Sequence, residues 1–413
     1  MPRLLLLLPT TTYRAADFVV AAERAGAEII VGSDRRQALA DDMGDRALVL
    51  PFDQPEAAVE AIVSLNERAP LDAVLAVDDQ GVTIAAAASA RLGLVASPER
   101  AVARTRDKAA QRRRLTAAGL DQPAFRVVPD ADAAVRAALE VGFPCVVKPL
   151  DRSASQGVLR LDDVGSALHG ASRVARIAGE GAPLLVEAFV PGVEVAVEGL
   201  VVRGRTAVLA VWDKPDPLDG PTFPETIYVT PSRHPATILR AVQRETARAV
   251  TALGLTEGPV HVELRVGDGG QVTVLEVAAR SIGGRCSKAL RLEGRTSLED
   301  VIVAHALGRP FEGMAHEGPA SGVMMLPVVD EGVLDHVDGV EDALAVPGVT
   351  AVDLTLSAGS PLVPLPEGDR YLGFIFARAL SPGEVELRLR QAAGQLQVRR
   401  RPDQAGGGAT HSG

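Results

Sequence analysis

A mixed fold, α/β at the amino end and α+β beyond it, is what this 413-residue chain predicts. Two observations point there. The first hundred or so residues alternate short apolar strands with amphipathic helices, the pattern of a mostly parallel sheet covered by helices. From about Phe125 onward short β-branched runs dominate, with hairpin turns and few helices between them. The length exceeds what one core organises, so two to four packed units are expected.

The elements follow in order. Leu4–Leu8 reads as a buried parallel strand, Ala15–Ala25 as a helix closed by Gly26, and Glu28–Val31 as the next strand. Ala47–Leu50, Ala57–Glu67, Ala73–Ala76 and Thr83–Leu92 repeat the alternation. No G-x-G-x-x-G turn follows the first strand, so this Rossmann-like unit is not read as a dinucleotide site. Pro98 opens one helical stretch through Ala118, stopped at Gly119. Phe125–Val128, Cys145–Pro149, Val158–Leu161 and Leu184–Phe189 are short strands broken by one helix, Ala131–Leu139. Val193–Val202 and Arg205–Val211 form a hairpin, then a Pro- and Asp-rich loop covers Pro215–Pro224 and a helix covers Pro235–Leu253. Strands Val260–Val266 and Val272–Val277 come next, and a strand-rich terminal unit turns at Pro347-Gly348 and Pro382-Gly383. The end, from Gln404, has few residues that could anchor it and is expected to be disordered.

Bulk properties exclude several classes. A net charge of −10 opposes a nucleic-acid surface, and Arg112-Arg113-Arg114 reads as a solvated helix face. Two distant cysteines, Cys145 and Cys286, make neither a disulfide framework nor a metal-ligand spacing, and suit the reducing cytoplasm. The opening apolar run is too short for a signal peptide and lacks a small-residue cleavage site, so a buried strand explains it better. No stretch is long and apolar enough to span a membrane.

The most informative segment is Gly258–Gly284, GPVHVELRVGDGGQVTVLEVAARSIGG. A two-residue type I′ turn at Gly269-Gly270 would place Glu263 opposite Glu276 and Arg265 opposite Val274. Opposed side chains share a face with Cβ atoms about 4.5–5.5 Å apart, so two carboxylates would repel unless a divalent cation lay between them. Mg²⁺ commonly binds through one or two carboxylates together with substrate phosphates. A longer loop would slip the register and send the two glutamates to opposite faces; the pattern leaves both arrangements open. Arg280 and the Gly283-Gly284 pair follow, a guanidinium and backbone N–H groups suited to anions.

Taken together these residues resemble the ATP-grasp superfamily, whose metal strands end E-x-N-x-R. Here the run is Glu276-Val277-Ala278-Ala279-Arg280, with Ala278 where the family usually has Asn, a departure that removes one oxygen ligand and puts a second metal ion in doubt. Gly142–Pro149 resembles the strand carrying a phosphate-binding lysine, here Lys148, and Ser153-Ala154-Ser155-Gln156-Gly157 stands where the family has its phosphate-covering loop. Leu185–Val190 is similar to the hinge, and Glu194 is placed like the ribose ligand. Trp212-Asp213-Lys214, Phe223-Pro224-Glu225-Thr226, Thr230-Pro231 and the terminal Gly373–Ala377 run resemble L-amino-acid ligases within the carboxylate–amine ligase branch.

The resemblance implies an ATP-grasp fold of five parts: an N-terminal α/β domain (1–97), a subdomain with the Lys148 strand and lid (98–186), a catalytic subdomain with the metal site (187–317), a β-rich cap (318–400) and a disordered tail (401–413). It further implies an enzyme that uses ATP and Mg²⁺, with Mn²⁺ as a substitute, to phosphorylate a carboxylate and join it to an amine, releasing ADP and phosphate. Lys108 and Lys148 would hold the α- and β-phosphates, Glu263 and Glu276 the metal, and Arg280 the γ-phosphoryl group and then the oxyanion. Gly283 and Gly284 would offer N–H groups to the acyl-phosphate. Ser153, Ser155, Gln156 and Gly157 would cover the phosphates, Glu187, Ala188, Phe189 and Val190 would read adenine, and Lys214, Glu225 and Arg285 would meet substrate. The implied partners are small-molecule carboxylates and amines, amino acids above all, with a homodimer as the assembly. An ATP-grasp carboxylase or acid–thiol ligase is the alternative chemistry, and a non-catalytic nucleotide-binding module the alternative of another class.

Overall fold

The computed structural model describes residues 1–10, 12, 14–36, 46–311, 313, 314 and 317–401. The chain divides into two compact units. One comprises Met1–Pro123, Val190–Asp213 and Thr230–Gly318; the other comprises Ala124–Phe189, Lys214–Val229 and the chain from Pro319. The disorder expected of the tail falls almost wholly outside the described residues, although Arg401, its first member, closes a strand.

In the first unit the amino-terminal alternation gives a parallel sheet in the order Ala47–Val49, Glu28–Ser33, Arg3–Leu7, Ala73–Ala76. Leu4 to Leu7 have no solvent exposure, as a central strand covered on both faces requires. A second set of strands is antiparallel, in the order Val272–Ala278, Gly258–Val266, Val193–Val202, Arg205–Asp213. One face is apolar: Val195, Val197, Val262, Leu264, Val274 and Val277 pack with Val242, Val250 and Leu253 of helix Ala236–Leu253. Period-two alternation leaves the opposite face for polar side chains.

The stretch from Pro98 is two helices, Glu99–Thr105 and Lys108–Ala117. Asp107 is the reason, since its carboxylate accepts from the Ala110 N–H at 3.0 Å and caps a new helix. Lys108 is thereby the first helical residue. Arg112 departs from the expected solvated face: it is buried, donating to the Val274 carbonyl at 3.2 Å and to Gln122 at 2.8 Å.

The second unit holds an antiparallel sheet in the order Phe125–Val128, Leu184–Ala188, Cys145–Pro149, Leu159–Leu161. Two helices cover it, Ala131–Val141 and Val164–Ala178, where one was expected. Gly165 and Gly170 disguise the second helix in the sequence. Gly170 is there because the helix lies so close to Leu161 that an added Cβ would come within 2.6 Å of it. Further strands run in the order Ile227–Thr230, Ala320–Pro327, Tyr371–Ala379, Val349–Leu354, and Gly332–Asp338 pairs with Pro361–Leu362 and Gln397–Arg401. Pro382-Gly383 is no turn but the start of helix Pro382–Ala393. Ser381 and Glu384 form its capping box, and Pro382 sits where a missing N–H costs nothing.

Candidate active site

Each unit assembles its own group of expected residues. In the first, Glu263 does lie opposite Glu276, yet not by the expected turn. The loop has three residues, Asp268 to Gly270, closed by the Gly267 N–H donating to the Gln271 carbonyl at 2.9 Å, with Gly270 left-handed at φ +78°. That geometry alone would slip the register by one. A bulge at Leu275 takes up the extra residue, so Arg265 faces Thr273 rather than Val274 while the glutamate pair survives.

Across three strands the polar face now reads as rows. Ala196, Glu263 and Glu276 make one; Glu198, His261 and Ala278 make the next. Glu194 and Arg265 pair in the row on the other side, 3.4 Å apart, and Arg265 also donates to the Val190 carbonyl at 2.8 Å. Lys108 Nζ stands 3.5 Å from Glu276 Oε2. Its helix is pinned to the same strand by Gln111, which donates to the Val277 carbonyl at 3.0 Å and accepts from the Val277 N–H at 2.9 Å.

Arg280 lies 2.9 Å from Asp79, in the loop after strand Ala73–Ala76, and Arg106 reaches the same carboxylate at 3.1 Å. Burial opposes the charge on Asp79, but Arg280, Arg106 and Lys108 hold its carboxyl below the usual range. Arg280 is likewise held above the ordinary arginine value, burial being outweighed by Asp79, Asp78 and Glu276. After Arg280, Ser281 accepts from buried Arg14 at 2.5 Å, and the Ile282 N–H donates to Glu198 at 2.8 Å. Burial pushes the fully enclosed Glu198 carboxyl well above the usual range, against the Ile282 hydrogen bond and the charges of Arg14 and Arg280. Gly283 has open space where a Cβ would stand, and Gly284 and Arg285 are both left-handed at φ +57° and +52°.

In the second unit Lys148 is buried and ion-paired with Glu187 one strand away. Phe189 stacks on Phe223 at 6.5 Å and beneath the Arg160 guanidinium at 4.5 Å, while Ala188 pairs with Cys145. The segment from Ser153 to Gly157 is fastened. The Gly157 N–H donates to the Pro366 carbonyl and Gln156 to the Glu367 carbonyl, both at 2.8 Å, while Arg173 grips Glu367 at 2.6 and 2.7 Å. Ala154 and Ser155 carry left-handed φ of 54° and 57°. Lys214 is buried, 2.7 Å from Glu225, which also accepts from the Tyr228 hydroxyl at 2.6 Å.

Three family models cover most of this arrangement: an ATP-grasp N-terminal domain over residues 19–94, an ATP-grasp domain over 141–289, and the L-amino acid ligase C-terminal domain 2 over 324–401. The chain belongs to the ATP-grasp superfamily. Alanine–anticapsin ligase of Bacillus subtilis (strain 168) is 25% identical over 249 residues, 55% of this chain and 52% of that protein. The ATP-grasp chain therefore spans about half the length of that curated relative. Among solved structures, an L-amino acid ligase from Bacillus licheniformis superposes with a TM-score of 0.81 at 24% identity, covering 97% of this chain and 99% of that one. A carboxyaminoimidazole ribonucleotide synthase from Aspergillus clavatus, crystallised with ATP, superposes with a TM-score of 0.75 at 18% identity over 95% and 98% of the two chains. At those identities the likeness is one of ATP-grasp fold.

Several residues around these two groups escape sequence reading. Asp79 anchors Arg280 from a loop with no motif, Glu198 and Glu367 act only through contacts distant in sequence, and Tyr228 meets Glu225 three residues away. His261 was within reach: it lies two residues before Glu263 and so on the same strand face. Among the described residues no helix is long and apolar enough to cross a membrane.

Proposed function

We propose that this chain is an ATP-dependent carboxylate–amine ligase that makes an amide bond between amino acids through an acyl-phosphate, releasing ADP and phosphate. The observation that carries the reading is Glu263 facing Glu276, with Lys108 against Glu276 and Arg280 fixed by Asp79. Two facing carboxylates form the hard oxygen donor set that Mg²⁺ or Mn²⁺ takes, so the residues present fit a divalent cation. When bound, that cation neutralises charge on the phosphates of ATP.

The chain's own residues have distinct tasks. Lys108 and Lys148 hold the α- and β-phosphates, Glu187 to Val190 read adenine, and Glu194 meets the ribose. Arg280 steadies the transferred phosphoryl group and then the tetrahedral oxyanion that forms when the amine attacks. Gly283 and Gly284 present N–H groups to the acyl-phosphate. Gly283 suits this because a Cβ built there would have nothing within 4 Å, leaving room for approach. Lys214, Glu225 and Arg285 contact the amino-acid substrates, and Ser153 to Gly157 exclude the water that would hydrolyse the intermediate. These roles fall within the two expected segments 98–186 and 187–317, and the enzyme is taken to work as a cytoplasmic homodimer. The reading is further supported by the match to the terminal domain of L-amino acid ligases.

The test is ADP formation across a panel of amino-acid pairs. Sustained release should require both a carboxylate donor and an amine acceptor. Release driven by bicarbonate, or by a carboxylate with a thiol, would move the chain to the carboxylase or acid–thiol alternatives. No release with any pair would leave a nucleotide-binding module.

A further inference from the structure

We propose that His261 is a ligand of the divalent cation held by Glu263 and Glu276, and that Glu198 orients its ring; this rests on the proposed ATP-dependent reading. The two glutamates supply donors from adjacent strands, but the next residue on the face of strand Val272–Ala278 is Ala278, which offers none. Directly opposite Ala278 stands His261, in the row beside Glu263. Its Nε2 lies 3.5 Å from Glu263 Oε1. Ligand atoms in neighbouring positions around such a cation lie about 3 Å apart when each bond is roughly 2.1 Å. The ring therefore stands a few tenths of an ångström from a position where one ion touches both.

The surroundings of the second ring nitrogen carry the inference further. Metal-bound histidines almost always present the other nitrogen to a carboxylate or carbonyl, which sets tautomer and orientation. Here Nδ1 lies 3.8 Å from Glu198 Oε2, one strand over in the same row. Glu198 is wholly buried and held by the Ile282 N–H at 2.8 Å, and its Oε1 has no hydrogen-bond partner among the described residues. The row thus runs carboxylate, imidazole, bare alanine, beside a row with two carboxylates. A surface ion pair would need no buried acid behind the imidazole. Glu198 also fixes the backbone just after Arg280, so the same carboxyl sets both the imidazole and the loop that bears Gly283 and Gly284. An imidazole nitrogen makes the site softer than an all-oxygen one, favouring Mn²⁺ over Mg²⁺.

The experiment is electron spin-echo spectroscopy of Mn²⁺ bound to the full chain with a non-hydrolysable ATP analogue, alongside Mn²⁺ titration. Wild type should show modulation from a directly coordinated imidazole nitrogen. That signal should vanish in His261→Ala and in His261→Gln, with Mn²⁺ affinity falling about tenfold or more and Mg²⁺ affinity less. Glu198→Gln keeps an acceptor for Ile282, and should weaken Mn²⁺ binding by a smaller factor while retaining the nitrogen signal. Circular dichroism and urea midpoints identify any variant that fails to fold, in which case the other His261 variant decides. Bound Mn²⁺ that depends on Glu276, with no nitrogen modulation in wild type or unchanged affinity in a folded His261 variant, overturns the histidine ligand and leaves the ligase reading standing. Mn²⁺ binding indifferent to Glu276→Gln, or absent altogether, overturns both.

Discussion

Asp79→Ala isolates the anchoring of Arg280. The substitution removes a carboxylate 2.9 Å from Arg280 and 3.1 Å from Arg106 without replacing any residue proposed to hold nucleotide or metal itself. A unit charge pair about 4 Å apart at an effective dielectric of 20 attracts by about 4 kcal/mol. Removing one partner of a buried pair costs about 3–5 kcal/mol, because the survivor stays buried without compensation. The side chains of Asp79 and Arg280 keep 14% and 16% of their exposure, so water relieves part of that cost. A loss of about 2–4 kcal/mol in urea unfolding is expected, with Asp79→Asn losing less because it keeps a hydrogen-bonding oxygen. Catalysis should suffer as well. A guanidinium displaced by about an ångström can cost up to ~10²-fold in rate, so kcat for ADP formation should fall about 10- to 100-fold. KM for ATP should change little. Unfolding free energy within about 0.5 kcal/mol of wild type together with unchanged kcat would refute the anchoring argument.

Three further outcomes follow from the geometry. Lys148→Ala should raise the Kd for ATP about tenfold, read by calorimetry, through loss of a charge–phosphate contact; adding Glu187→Gln removes the stranded partner, and normal affinity in that double variant would make Lys148 purely structural. Glu367→Ala should cost under about 1 kcal/mol of stability, since its pairing with Arg173 is half-exposed, yet should accelerate protease cleavage between Ser153 and Gly157; equal cleavage rates would mean that the segment is held by other contacts. Burial holds the His305 imidazole below its ordinary value, partly offset by Glu257. A depressed histidine contributes stability that is present above its unfolded pKa, about 6.5, and is lost as pH falls through the folded value. Wild type should thus lose more stability than His305→Gln between pH 7.5 and pH 5, and parallel urea midpoints would count against it.

Much of the fold was legible because short apolar strands and glycine-stopped helices leave local marks. Leu4 to Leu7, the Val193–Val202 hairpin and the Asp268-Gly269-Gly270 turn all announce themselves over a few residues. Helix Val164–Ala178 did not, because Gly170 serves a close approach to Leu161 that only the tertiary fold creates. Helix Pro382–Ala393 was mistaken for a turn because Pro-Gly marks turns and helix starts alike. The glutamate pair shows the limit well. Its register was reached through a two-residue loop, whereas the chain uses a longer loop and a compensating bulge at Leu275, two departures that cancel. Arg112 was misplaced for a related reason: a basic run reads as solvated unless one knows that a carbonyl, here that of Val274, waits beneath it.

The most direct test of the account is the fate of oxygen in the donor carboxylate. With ¹⁸O in that carboxylate and ATP unlabelled, the acyl-phosphate route sends one labelled oxygen into the released phosphate, alongside stoichiometric ADP and amide. Amide formation with unlabelled phosphate, or with AMP and pyrophosphate as products, would contradict it.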